Sequence, residues 1–283
     1  MKTIVKSARQ LPGATTGKAN SQPRSKRFSF VSSRHRDRLI SVASPVVLLL
    51  LWQTAAQTGL IDERFFPAPT KIFATFIALV NDGSLWDNTW ATLQRLFWGC
   101  LIGGIPALLL GVATGLSRPL RAVFDPLIAA TYPVPKSAIF PLLLLICGLG
   151  EASKIAMVAI GVFYPVLINT ATGVLEINKI YLDVGRNFRA SRWQVFRTIA
   201  LPGAVPHIMS GIKLGLGLGL MLIAIAEMIG SKSGLGYMIW NAWELLSVES
   251  MYVGLLVIAF LGYGISLLLT ELERKLIPWK ASR

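Results

Sequence analysis

The chain has 283 residues, of which 53% are hydrophobic and only 15% charged, and its mean hydropathy is +0.59. Soluble domains carry about a quarter charged residues, so an ordinary water-soluble fold is excluded. The net charge of +14 is concentrated in an N-terminal tail (Lys2, Lys6, Arg9, Lys18, Arg24, Lys26, Arg27, Arg34, Arg36 and Arg38 against Asp37 alone), so it is not a nucleic-acid signature.

Residues 1–38 read as a basic, disordered cytoplasmic tail under the positive-inside rule. A targeting peptide fits less well, because Pro12 and Pro23 interrupt the tail, it has no clear amphipathic period, and no A-x-A cleavage site is evident. A first transmembrane helix is expected over 39–59, its apolar run ending at Gln57. The 60–92 segment is net acidic, with Asp62, Glu63, Asp82 and Asp87 against Arg64 and Lys71, as expected of a periplasmic stretch. A core domain then fills 93–271, with spans expected at 93–115, 125–149, 154–174, 206–229 and 252–270, each near the roughly 20 residues that cross the bilayer as helix. Pro126, Pro133, Pro135 and Pro141 predict kinks or broken turns in the third span of the chain. The stretch between the fifth and sixth spans, holding Lys232, Glu244 and Glu249, reads as a loop, and 272–283 as a cytoplasmic tail. Six crossings that start inside put nearly all the Lys and Arg in the cytoplasm. The fold class is therefore all-α: a polytopic membrane protein of about six transmembrane helices.

Several apparent motifs carry no chemistry. Gly13-Ala-Thr-Thr-Gly17-Lys18 is one residue short of a phosphate loop and Ala19 stands where a Ser or Thr would meet magnesium. Ser210 and Lys213 have S-x-x-K spacing without the companion motifs of a serine nucleophile. His35 and His207 lack ligand spacing, so no metal is expected, and Cys100 and Cys147 read as reduced, buried thiols. Gly103, Gly104, Gly111 and Gly115 in one span, and Gly211, Gly215 and Gly219 in another, allow close helix approach, either within the chain or at a subunit interface.

The informative segment is the charged loop 175–205. Ser191-Arg-Trp-Gln194 is a capping box, which predicts a short helix from Ser191 ending by Leu201-Pro202, preceded by a helical stretch over 180–188. Phe188, Trp193 and Phe196 would then form an apolar knob rimmed by basic residues. Such a surface suits either a protein partner or the lipid headgroups.

Asp183-Val-Gly185-Arg-Asn-Phe188-Arg189-Ala190-Ser191, followed by Leu201-Pro202, resembles the E-A-A---G coupling loop of ABC importer permeases. Ala226-Glu227-Met228, Gly234-Leu-Gly236-Tyr237 and Leu272-Glu273-Arg274 resemble the nitrate/sulfonate/taurine/bicarbonate branch, and the similarity covers about 60–279. Two positions depart from the pattern: Asp183 replaces the usual Glu, and Arg189 the usual Gly of a left-handed helix cap.

The resemblance implies a type I ABC importer permease in the bacterial inner membrane, both termini cytoplasmic. It further implies cytoplasmic ATP-binding subunits docked on the loop at Asp183, Gly185, Phe188, Arg189, Ala190, Ser191, Trp193, Phe196, Leu201 and Pro202. A second permease subunit forming a homodimer, a periplasmic substrate-binding protein and surrounding lipid complete the expected partners; no nucleic acid, cofactor or ATPase site of its own is expected. The substrate class implied is a small anion: an organic sulfonate or taurine, or nitrate or bicarbonate. Glu227, an intramembrane acid, reads as either a pathway residue or a hydrogen-bond anchor, and Lys136 as a cation for an anion path. An ion-coupled secondary transporter is the alternative reading. A membrane hydrolase would need a nucleophile–base pair that is not evident.

Overall fold

The computed structural model describes residues 31–278, and the regular structure among them is helical. Two compact units divide the chain, Met1–Leu48 and Leu49–Arg283. Of the first, only the opening of α1 (Val31–Gln57) falls within the described residues, and the rest of the architecture belongs to the second. The helix reaches back to Val31, into the stretch read as disordered tail, because extension of a helix already nucleated in the apolar run adds a hydrogen bond per residue fixed. Residues 1–30 lie outside the described residues.

Beyond α1 the segment read as periplasmic contains a helix of its own, α2 (Pro69–Asn81). Gln53 ties it to the end of α1, accepting from the Thr70 amide at 3.1 Å and donating to the Thr70 hydroxyl at 3.1 Å. The long α3 (Ser84–Leu116) follows, then α4 (Arg118–Thr131), a 3-10 turn (Lys136–Ile139) and α5 (Phe140–Cys147). The stretch expected as a single third span is thus two helices bent by 87°. Pro133 and Pro135 are the reason: each lacks an N–H and disfavours helix at the residue before it.

After α6 (Glu151–Leu175), two short helices α7 (Lys179–Asn187) and α8 (Arg192–Val195) lead into α9 (Leu201–Gly230). The helix expected to stop at Leu201-Pro202 does not stop. A π-helical stretch, Phe196–Ala200, joins α8 to α9, and Trp193–Gly230 is one unbroken helix of 38 residues. The wider turn, in which the Leu201 amide donates to the Phe196 carbonyl, makes room for Pro202 without ending the helix. The supposed loop before the last span also holds a helix, α10 (Leu235–Glu244), whose Leu235, Met238, Ile239 and Ala242 are buried at helical spacing. The chain ends in α11 (Val248–Leu276). Among the described residues four helices are long and apolar enough to cross a membrane, or five when the bent pair is counted as one span; the apolar part of α1, Ala43–Gln57, is shorter.

At the centre α6 lies between α3 and α9, with Val158, Val162, Val166, Leu167 and Ile223 buried among them. Lipid chains are as apolar as these side chains, so close backbone approach rather than hydrophobic transfer holds the trio. The small residues at the crossings make that approach possible. A Cβ on Gly103 would stand 2.2 Å from the Ala159 carbonyl oxygen, and one on Gly211 2.9 Å from the Pro165 oxygen. These rows serve packing within the chain, one of the two roles expected of them.

Gly103→Leu should therefore abolish monodisperse protein in detergent or lower its thermal midpoint steeply, since overpacking already costs about 1–3 kcal/mol where side chains alone must yield. Gly104→Ala, whose methyl would sit 3.7 Å from Val162 Cγ1, should leave the melting curve where it is.

Candidate functional site

The loop between α6 and α9 is a two-helix device with defined caps. Asn178 opens α7, its side-chain oxygen accepting from the Ile180 amide at 3.0 Å. At the other end, the Ala190 amide donates to the Gly185 carbonyl at 2.9 Å, five residues back, while Arg189 takes a left-handed φ of 51°. That is the long hydrogen bond of a Schellman stop. The turn typical of a glycine is formed here by Arg189, at a cost on the order of 1 kcal/mol.

The capping box is present as well: the Ser191 amide donates to Gln194 Oε1 at 2.7 Å and the Gln194 amide to Ser191 Oγ at 3.2 Å. Gly185 is buried where a Cβ would press on Val195 and Ile199, so α7 folds tightly back on the α8 segment. The aromatic side chains point away from that contact. Phe188 is 82% exposed and Trp193 66%, with the Trp193 and Phe196 rings 5.4 Å apart. Asp183 lies on the exposed part of α7, while Ala190, Leu201 and Pro202 are half-buried. The structure brings the predicted loop residues into one small module at one end of the helices.

At the opposite end sits a charged knot. Arg95, on α3, is 3% exposed and uses all five of its N–H donors. Nε and Nη2 bond the two oxygens of Glu151 at 2.5 and 2.8 Å. Nη1 bonds Glu227 at 2.8 Å and the Ser233 carbonyl at 2.7 Å, and Nη2 also reaches Ser233 Oγ at 2.9 Å. Glu227 is fully buried on α9 and accepts further bonds from Thr92 Oγ1 at 3.0 and 2.9 Å and from the Gly236 amide at 3.0 Å. Thr92 in turn accepts from the Leu235 amide, and Asn88 from the Gly234 amide, both at 2.8 Å. Gly234, at φ 111°, has no room for a side chain: a Cβ would lie 2.2 Å from the Glu227 carboxyl carbon. The shared Glu and Gly-x-Gly residues are thus one structural unit.

Arg95, Glu151, Thr92 and Asn88 were not among the expected site residues. A signal was available, since Asn88, Thr92 and Arg95 recur at i, i+4 and i+7 on a helix that is otherwise largely apolar.

Lys136 stands apart from both ends. At the break between α4 and α5 its ammonium donates to the Thr131 and Tyr132 carbonyls at 2.9 and 3.0 Å and lies 4.2 Å from the Tyr164 ring centroid. It therefore covers carbonyls that end α4, where a cation also meets the negative end of the helix.

A bundle of helices long and apolar enough to cross a bilayer defines a multi-pass membrane protein. The sequence profile of the binding-protein-dependent transport system inner membrane components matches residues 107–278, and the chain belongs to that family. It is 33% identical to the taurine transport system permease protein TauC of Escherichia coli (strain K12), covering 92% of this chain and 96% of that protein. The putative aliphatic sulfonates transport permease protein SsuC of Bacillus subtilis (strain 168) is 30% identical over 97% of both chains. Among solved structures, an inward-facing MetNI methionine ABC transporter chain shares the fold at a TM-score of 0.50 and 21% identity, over 66% of this chain and 93% of that one.

Breaking the buried pair should cost more than removing it. Arg95→Met, which strands Glu227, is expected to lose about 3–5 kcal/mol, and Arg95→Met with Glu227→Met distinctly less; thermal unfolding in detergent measures both. At the other end, Arg189→Gly should stabilise the turn by about 1 kcal/mol, visible as slower hydrogen exchange at the Ala190 amide.

Proposed function

We propose that the chain is the membrane-spanning subunit of an ATP-driven importer for organic sulfonates, taurine among them, and that the 175–205 module is where its ATPase partners dock. The observation that carries this reading is the capped module itself. Its aromatic knob is exposed, built on two mutually packed turns, and continuous with α9 through the π stretch. Force applied at Ala190 and Ser191 would therefore enter a transmembrane helix directly. Likeness to taurine and aliphatic-sulfonate permeases over most of the chain supports the substrate class.

The module faces the cytoplasm in this proposal, because Arg189, Arg197, Arg274 and Lys275 collect at that end and the basic residues of 1–38 come before the apolar run of the first helix. ATP is hydrolysed by the partner subunits rather than by this chain, and a periplasmic binding protein presents the substrate. The exposed apolar face of the bent pair, with Leu142, Leu145 and Ile146, suits a second copy of the chain and hence a homodimer. Within each copy Glu227 anchors the outer end, while Lys136 places a positive charge partway along the broken helix, where an anion would pass.

Ala190→Glu should abolish co-purification with the ATPase subunit and taurine uptake while the protein still inserts in the membrane. Undiminished complex and uptake in that variant would overturn the docking assignment. Uptake that survives deletion of the ATPase but collapses with an uncoupler would instead identify an ion-coupled carrier.

A further inference from the structure

Beside the charged knot is an open recess of about 390 Å³, lined by the start of α6, the end of α9 and the 231–233 turn. It lies at the end of the helices opposite the docking module, since α6 runs from it to the module and α9 runs back. Its polar groups are unevenly satisfied. Lys154 is 2% exposed, and its ammonium donates to the Leu149 and Gly150 carbonyls at 2.9 and 3.0 Å. An ammonium has three donors, and the third has no partner among the described residues. Lys232 is exposed and likewise unpartnered among the described residues. Ser233 Oγ accepts from Arg95, which leaves the hydroxyl hydrogen free to donate.

Facing these donors on the same rim is Glu151. Arg95 binds both of its oxygens, yet its side chain stays 62% exposed, so lone pairs remain available to the recess. Arg95, Lys154 and Lys232 stand against Glu151 and Glu227, which leaves one positive charge over. The recess thus offers a cationic, hydroxyl-bearing wall next to one carboxylate.

The geometry points to a docking site for a small zwitterion, an aminoalkanesulfonate whose ammonium meets Glu151 and whose sulfonate oxygens meet Lys154, Lys232 and Ser233. A plain alkanesulfonate satisfies only the second half. The site receives the substrate at the outer mouth, before the bilayer interior, and gives the permease a preference of its own beyond that of the binding protein. This inference rests on the sulfonate reading above.

The test is equilibrium dialysis of labelled taurine and labelled ethanesulfonate against the purified permease–ATPase complex in lipid nanodiscs, without binding protein. Taurine should bind more tightly than ethanesulfonate. Lys232→Glu, an exposed change that leaves the fold intact, should weaken both by about tenfold or more, the worth of one charge-assisted hydrogen bond. Glu151→Gln should bring the two ligands to equal affinity, with size-exclusion profiles confirming that the complex persists. No taurine binding by the wild type, equal binding of both ligands, or indifference to Lys232→Glu would sink the site. Whole-transporter uptake with the binding protein separates the two levels. Taurine uptake with a failed dialysis result removes only the recess, whereas uptake of neither ligand removes the sulfonate reading and the recess with it.

Discussion

Burial of Arg95 against Glu227 is the constraint on which the end of the helices opposite the 175–205 module depends. Taking two charges out of water costs several kcal/mol for each ion, and their attraction repays it only if every remaining donor and acceptor is matched. Here the matching is complete: five guanidinium donors find Glu151, Glu227 and Ser233, and Glu227 is filled by Thr92 and the Gly236 amide. Because the partners come from α3, α6, α9 and the turn before α10, one pair fixes four elements at once. Gly234 and Gly236 are small because the carboxylate already occupies the space that a side chain would need. An apolar substitute for the pair could be equally stable, but it would specify less, since a methyl group has no direction while a guanidinium has five.

The opposite end obeys a different logic. Little of the 175–205 module is buried, and its order comes from caps: Asn178 before α7, the Arg189 turn after it, and the reciprocal Ser191–Gln194 pair. The two N-caps contribute on the order of 1 kcal/mol each and the left-handed Arg189 costs about as much, which defines a shape without locking it. The π stretch then joins this surface to α9. A helix of 38 residues has a contour of roughly 57 Å at 1.5 Å per residue, so one element carries both the exposed Trp193 and the buried Glu227. The same helix is therefore exposed at the module and anchored at the knot.

Local chemistry was legible in the sequence wherever it was complete within a few residues. The capping box has both members three apart, and the proline cluster of the third span announces its break. The glycine rows are visible as spacing, although the sequence alone left open which helix they meet. What resisted reading was any property shared between distant segments. Arg95 sits 132 residues from Glu227; a lone Arg in an apolar run looks like an interface residue until its partners are placed beside it. The continuation through Pro202 was hidden for another reason, because proline ordinarily ends a helix and only the wider π turn accommodates it. In α10 the charges of the flanking segment masked an apolar face of i, i+3, i+4 and i+7 spacing that was present all along.

Lys136 shows how one side chain can close a break in a helix. A chain that breaks inside a membrane leaves carbonyl groups without donors, and lipid supplies none. The ammonium of Lys136 answers two of them and rests against Tyr164, so its charge is balanced by helix-end carbonyls and an aromatic face rather than by a carboxylate. No acidic group competes for it among the described contacts, and the net positive charge therefore persists at the break. A carboxylate in its place could not donate to these carbonyls and would set a negative charge beside them. A cation held by two carbonyls and an aromatic face covers the broken helix end without a carboxylate partner among the described residues.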